Sequence, residues 1–384
     1  MQDRIDEIKS FLAHGDISLA ARRMLDLALD TGNEDLMQQS IAWSRKHRKQ
    51  INEAGQEKLP DSFFAEAGGL LDRLALLQGQ LAHSRQPLLQ AENISKTYSG
   101  GNFSLHPISV SLGTGDIIGV VGENGNGKTT LLRCLSGQLA LDEGSINYTQ
   151  LQQPDHYSIK HHLAFIPQRI PRWYGLLKDN LHFSAALSGI RGRQNELMVD
   201  FMLERLNLSP YANLTWNQIS SGYRTRFEIA RVLLQKPSLL ILDEPLANLD
   251  IKAQQTILTD LRYLAKSAYH PMGVMLSSQQ LHEVEKIADS VLFIRSGKCL
   301  YRTGETEGPQ NAVLELETSA QRERLIEVLG EDHVQVNFNG GYYTIASAGL
   351  SVHEMIQKIV SNGIPVTYFR DITHSTKRFF NSGN

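Results

Sequence analysis

The chain has 384 residues, enough for two or three domains rather than one. Hydrophobic residues make up 41% and charged residues 21%, a folded globular balance that excludes a disordered chain. The net charge of −3 leaves no global field to recruit nucleic acid or anionic lipid, and no apolar stretch reaches the ~20 residues that cross a bilayer.

The N-terminus, "MQDRIDEIKSFLAHG", carries acids where a signal peptide has basic and then apolar residues. Residues 1–87 read as an all-helical domain. Asp16 is predicted to cap a helix with Ile17, Leu19, Ala20, Met24 and Leu25 at helical spacing, ending near Gly32. Asn33 caps the next, through Leu36, Met37, Ile41 and Trp43, and "NEAGQEKLPDS" reads as a loop. A leucine-rich helix follows from Phe63 to Leu81. The run "RKHRK" at 45–49 reads as a solvated helix face rather than a nucleic-acid patch, because its surroundings are not basic. A protein–protein adaptor is the expectation for this domain.

From 88 to 308 strands and helices alternate. "DIIGVV", "LLILD", "GVMLS" and "SVLFI" are short apolar runs that fit strands buried on both faces of a mostly parallel sheet. Ligand chemistry is expected at their C-terminal ends. Residues 309–384 change pattern again. "AVLELET" reads as a strand, "SAQRERLIEVLG" as a helix, and "HVQVNF" and "YYTIAS" as a hairpin around Asn339-Gly340-Gly341. "SVHEMIQKIVSNG" then reads as a helix and "IPVTYFRDI" as a last strand, giving the βαββαβ order of a small α+β ferredoxin-like domain. "THSTKRFF" looks like a docking or dimer segment, or equally a helical tail. Cys134 and Cys299 form no ligand cluster and suggest a reducing compartment, with cytoplasm the default.

The strongest motif is "GVVGENGNGKTTLL". Gly122, Gly127, Lys128 and Thr129 match G-x-x-x-x-G-K-[ST] between an apolar strand and a helix. Such a loop, here including Asn124, Gly125, Asn126 and Thr130, holds phosphates on backbone N–H groups at a helix N-terminus. Lys128 would reach the outer phosphates of ATP, and the Thr129 hydroxyl would ligate Mg²⁺. "LLILDEP" supplies Asp243 as a second holder of Mg²⁺ and Glu244 as the group that polarises attacking water.

These motifs resemble the ATP-binding cassette (ABC) ATPase family, over about residues 88–308. Further motifs fall in the family's order. "ENISKTY" ends in Tyr98, where the family stacks an aromatic on adenine. "LAFIPQ" ends in Gln168, similar to the glutamine that contacts Mg²⁺ and senses a membrane partner. "ISSGYRTRFEIARVLL" resembles the signature and its helix, and "LANLD" gives Asp250, similar to a dimer-contact aspartate. The resemblance implies an α/β P-loop NTPase of ABC type with a helical subdomain. It also implies a head-to-tail homodimer or heterodimer in which Ser220, Ser221 and Gly222 of one subunit close over ATP on the other. Arg224 and Arg226, on the same turn, read as solvated or structurally paired.

Two positions depart from the family. Leu-Ser-Gly-Gly-Gln is replaced by Ile219-Ser220-Ser221-Gly222-Tyr223, and Ser221 would cost about 1–2 kcal/mol if its backbone needed positive φ. Gln279 replaces a histidine that touches the γ-phosphate. Its amide donates a hydrogen bond but cannot become cationic, so ATP binding is expected to persist with slower hydrolysis. His282 lies in the following helix and does not substitute.

The resemblance favours the ATPase subunit of an ABC transporter whose integral membrane subunits are separate chains, working at the inner face of the membrane without nucleic acid. "KDNLHF" supports that pattern, and Trp173 and Tyr174 either line a groove for a membrane partner's helix or pack the subdomain. The alternative is a soluble ABC ATPase acting on nucleic acid or ribosomes, or sensing ATP. Substrate and direction are not written in this chain.

Overall fold

The computed structural model of the protein describes residues 2–52, 59–76, 85–101, 103–149, 156–247, 249–267, 270–302, 311–330 and 334–373. It opens with five helices: α1 (Gln2–Ala13), α2 (Ile17–Asp30), α3 (Glu34–Lys46), α4 (Arg48–Asn52) and α5 (Asp61–Leu76). Asp16 accepts from the Leu19 amide at 3.2 Å and Asn33 from the Leu36 amide at 3.0 Å, the two caps expected. Residues 77–81 of the expected last helix lie outside the described residues.

A second architecture follows, with β1 (Pro87–Thr97), β2 (Ser104–Gly113), β3 (Ile117–Val121), α6 (Lys128–Leu135), β4 (Glu143–Tyr148), α7 (His156–His162) and β5 (Leu163–Ile166). Next come α8 (Leu177–Leu187), α9 (Gly192–Arg205), α10 (Ser221–Leu233), β6 (Leu239–Leu242), α11 (Ile251–Ala265), β7 (Gly273–Ser278), α12 (Leu281–Glu285), β8 (Ser290–Arg295) and β9 (Lys298–Arg302). The main sheet has the order β5-β6-β7-β3-β8-β9, parallel except for β9. Every residue of β3, β6 and β7 is buried, which explains their unbroken apolar runs.

One face of this sheet packs on α6 and on the antiparallel sheet β2-β1-β4, through Ile118, Val120, Leu131 and Leu135. The other packs on α8–α11, through Val121, Leu177, Val199, Phe227 and Leu261. Because β6, β7 and β3 are parallel neighbours, their C-terminal ends lie side by side. That alignment brings sequence-distant motifs together.

The helical layer and the N-terminal helices share a core. Leu197 and Phe201 of α9 are buried among Met24, Leu25, Met37, Phe63 and Leu70. On the α11 side the contacts are ionic: Arg22 and Arg23 reach Asp260 at 3.1 and 2.8 Å. Arg205 of α9 pairs with Asp26 of α2. The run 45–49 is solvent-facing at Arg45, Lys46 and Lys49, as expected from sequence, but His47 is buried and the run is also paired. Arg45 and Arg48 pair with buried Glu204 of α9, and Lys46 and His47 with Glu66 of α5. Two acids some distance along the chain hold this basic run, which its local composition could not reveal.

The last elements are β10 (Ala312–Glu317), α13 (Arg322–Leu329), β11 (Val334–Asn339), β12 (Tyr342–Ser347), α14 (Val352–Ser361) and β13 (Tyr368–Asp371). They form an antiparallel sheet of order β11-β12-β10-β13, with α13 and α14 closing a separate core around Leu314, Ile345, Leu325 and Met355. Gly340 and Gly341 take φ of 60° and 92°, the paired positive values of a two-residue hairpin turn. The final strand starts four residues later than expected. Ile364 is tied to the end of α14 through its amide, and Pro365 has no N–H to enter a ladder. The "THSTKRFF" segment lies, from residue 374 on, outside the described residues.

Candidate active site

The loop between β3 and α6 is shaped by glycine. A Cβ on Gly122 would lie 2.2 Å from the Ile294 carbonyl oxygen, and one on Gly127 would lie 2.5 Å from the Phe103 ring, with Gly127 at φ 101°. No larger residue fits either place, so only glycine lets the loop pack this closely against Ile294 and Phe103. Asn126 fastens the loop from below: its side-chain oxygen accepts from the Ser296 amide at 2.7 Å. Lys128 is buried, donating to the carbonyls of Gly122 and Glu123 at 2.7 and 3.2 Å.

The end of β6 supplies the acids. Asp243 accepts from the Thr129 hydroxyl at 2.9 and 3.1 Å and from the Ser277 hydroxyl at 2.7 Å. Glu244 is buried and lies 2.9 Å from Lys128 Nζ. Its φ of 49° is left-handed, a strain of about 1 kcal/mol for a residue with a Cβ. The Ser277 hydroxyl offsets this by accepting from the Glu244 amide at 2.8 Å. Ser277 on β7 therefore braces both acids from the strand between them and the loop.

Gln279, at the end of β7, donates from Nε2 to Asn124 Oδ1 at 2.8 Å. The side chain expected at the γ-phosphate thus reaches the phosphate loop directly. His282 is exposed on α12, as its spacing required. A cavity of about 160 Å³ is lined by Gly125, Lys128, Thr129, Gln168, Glu244 and Phe103. Tyr98 stands at the rim, 39% exposed, with its hydroxyl 3.4 Å from Thr130 Oγ1 and its ring 6.4 Å from Phe103. Phe103 and Ser277 were missed from sequence. The signal for Ser277 was available, since it closes the apolar run at the C-terminal end of a parallel strand, where ligand chemistry is expected.

The site fits a hard divalent cation held with a phosphate. A hydroxyl and a carboxylate already meet at Thr129 and Asp243, and Gln168 adds a third oxygen donor to the same cavity. Among the described residues, no group of three or more His, Cys, Asp or Glu is placed to hold a metal by itself, so phosphate oxygens would complete the shell.

The signature residues lie apart from this cavity, at the start of α10. Ser220 is its N-cap, at φ −71° and ψ 166°, and its hydroxyl makes no cap hydrogen bond. Ser221 is the first helical residue and is not among the residues with positive φ, so the strain foreseen for it does not arise. Tyr223 stacks on Tyr211 at 4.0 Å and accepts from its hydroxyl at 2.8 Å. Burial, then the Tyr211 hydroxyl, pushes the Tyr223 phenol up to about 12. Arg224 donates to the Trp216 carbonyl at 3.2 Å, and Arg226 is largely buried beside Tyr223, so neither is a free surface cation. Asp250 caps α11 by accepting from the Ala253 amide at 2.8 Å. Trp173 lines no groove: it is buried, stacked on Trp216 at 5.1 Å and donating to Glu228 at 3.2 Å, whereas Tyr174 is 79% exposed.

Comparisons with known proteins identify the family. The family model described as ABC transporter matches residues 105–247. The chain is 30% identical over 246 residues to the SkfA peptide export ATP-binding protein SkfE of Bacillus subtilis, covering 64% of this chain and 98% of that protein. It is 28% identical over 229 residues to the phosphonates import ATP-binding protein PhnC of Treponema denticola, covering 56% and 88%. In fold it is similar to CbiO1 from Clostridium perfringens, part of the ABC transporter complex CbiONQ. That likeness has a TM-score of 0.50 at 23% identity and covers 56% of this chain and 88% of that one. No helix among the described residues is long and apolar enough to cross a membrane. The chain belongs to the family of ABC transporter ATP-binding proteins, and its α/β cassette is an ATPase.

Proposed function

We propose that the protein binds MgATP on the loop 122–130 and hydrolyses it in a head-to-tail dimer, powering a transporter whose membrane subunits are separate chains. The observation that carries this reading is the meeting of Lys128 and Thr129 after β3 with Asp243 and Glu244 after β6, the strands on either side of β7, across 114 residues of sequence between Thr129 and Asp243. Bound Mg²⁺, held by Thr129, Asp243 and Gln168, would supply charge neutralisation to the phosphates. Lys128 serves two partners in turn. In this structure its ammonium neutralises Glu244, and a γ-phosphate competes for it, leaving the Glu244 carboxylate to accept a proton from attacking water. Gln279 orients that water or the phosphate through one neutral hydrogen bond.

Ser220 and the first amides of α10 carry the partial positive charge of a helix N-terminus, suited to the γ-phosphate on the opposite subunit. Asp250 and Tyr98 are assigned to the dimer contact and the adenine. The named relatives are import and export subunits, which favours transport at the inner face of the membrane over a soluble role. The three-domain division at 87 and 308 goes with it: a helical adaptor in front and a ferredoxin-like accessory domain behind. The test is MgATP turnover by the protein purified with its membrane subunits. Turnover that rises with transported substrate and disappears in Glu244→Gln supports the reading. Turnover unaffected by Glu244→Gln contradicts it.

A further inference from the structure

The first N-terminal helices end beside the signature. A groove of about 680 Å³ has the corner between α1 and α2 as one wall and the start of α10 with the start of α11 as the other. Gly15, Ser18 and Arg22 stand on the first wall, Ser220, Tyr223 and Asp250 on the second. The corner is not loosely placed. Arg22 and its neighbour Arg23 both pair with Asp260 on α11, and Arg23 is 2% exposed, so α2 is pinned to the helix that Asp250 caps. Behind it, Phe201 of α9 is wholly buried among the N-terminal helices.

The groove opens where a second subunit must sit if Ser220 and Asp250 meet the partner's nucleotide. A second copy of the chain seated on Ser220 would also lie over the groove, next to Gly15 and Ser18 on its other wall. Its lining is polar, with Arg22, Arg226 and Lys252 beside Asp16 and Asp250, so the covering surface would be polar rather than apolar.

We infer that the α1–α2 corner is part of the ATP-dependent dimer interface, so that the N-terminal helices of each subunit contact the second copy of the chain beside the signature. This rests on the dimer reading above. By two-fold symmetry each contact occurs twice, so one substitution alters two corners.

The experiment places cysteine at Ser18 in a Glu244→Gln chain whose Cys134 and Cys299 are replaced by serine, and follows maleimide labelling with MgATP and with MgADP. Dimer mass is measured in the same samples. With MgATP the dimer forms and labelling at 18 slows about ten-fold or more. A dimer that forms with unchanged labelling overturns the inference while leaving the dimer reading intact; absence of any dimer overturns both. A second variant, Ser18→Trp, is expected to weaken dimerisation about ten-fold with monomer ATP affinity unchanged. Dimerisation as tight as in the parent would equally contradict the proposal.

Discussion

The phosphate site and the seam between the N-terminal helices and the cassette are both built on buried charge, and they use it differently. At the site, Lys128 and Glu244 are a buried pair lining a cavity where, in the proposed function, a phosphate and a water take over one partner each. At the seam, Arg23 lies between Asp26 and Asp260, and Arg205 pairs with Asp26, joining α2 to α11 and to α9. Burial also lowers the Arg23 guanidinium below its ordinary value despite those two acids, a sign of how costly its position is. The difference teaches which charges answer to chemistry and which to architecture, and substitution separates them.

The largest effect is expected at Glu244. Glu244→Gln should cut turnover by roughly 10²-fold or more while leaving the urea midpoint near the parent's, since the amide keeps the volume and a hydrogen bond. A loss of stability as large as the loss of activity would erase the distinction drawn here. The mirror experiment is Arg23→Met. It leaves Asp260 with Arg22 alone and Asp26 with Arg205 alone, and should cost about 2–3 kcal/mol in urea unfolding, with ATP affinity of the folded protein retained. Phe201→Ala tests the apolar side of the same seam, with an expected loss of about 3 kcal/mol or more; a loss under 1 kcal/mol would mean α9 does not share that core.

Smaller effects sharpen the site. Gln279→His replaces a neutral donor by one able to carry charge, worth about 1 kcal/mol, so turnover should rise roughly five-fold at neutral pH. Unchanged turnover would leave Gln279 as a tie to Asn124 alone. The smallest prediction concerns Tyr223. Its phenol titrates higher folded than unfolded, so the folded state keeps its proton longer. Stability should be intact below pH ~10 and fall as pH rises toward 12. Tyr223→Phe should flatten part of that decline in alkaline unfolding curves, and an unaltered decline would assign it to other groups.

Legibility from sequence divides along the same line as the charges. The site was readable because its parts are short and local: glycines where a Cβ meets Ile294 or Phe103, an acid pair at the end of one strand, and a glutamine at the end of another. Caps such as Asp16 and Asn33 and the Gly340-Gly341 turn were readable for the same reason. The seam was not, because Arg22 meets Asp260 across 238 residues and Arg45 meets Glu204 across 159. The 45–49 run is solvated as read, but its buried member His47 and its pairing with Glu204 and Glu66 show only once those acids are placed. Trp173 shows the converse: an aromatic in a promising motif turned out to be core, held by Trp216 and Glu228. Whether Ser221 needs positive φ could not be read locally; the helix starts at that residue, so the condition for strain is not met.

The most direct test of the central claim is the mass of Glu244→Gln in solution with MgATP and with MgADP. The account predicts a doubling of mass with MgATP that Ser220→Arg abolishes, and a monomer with MgADP. A Glu244→Gln protein that binds ATP yet remains monomeric, or one whose dimer ignores Ser220, would contradict it.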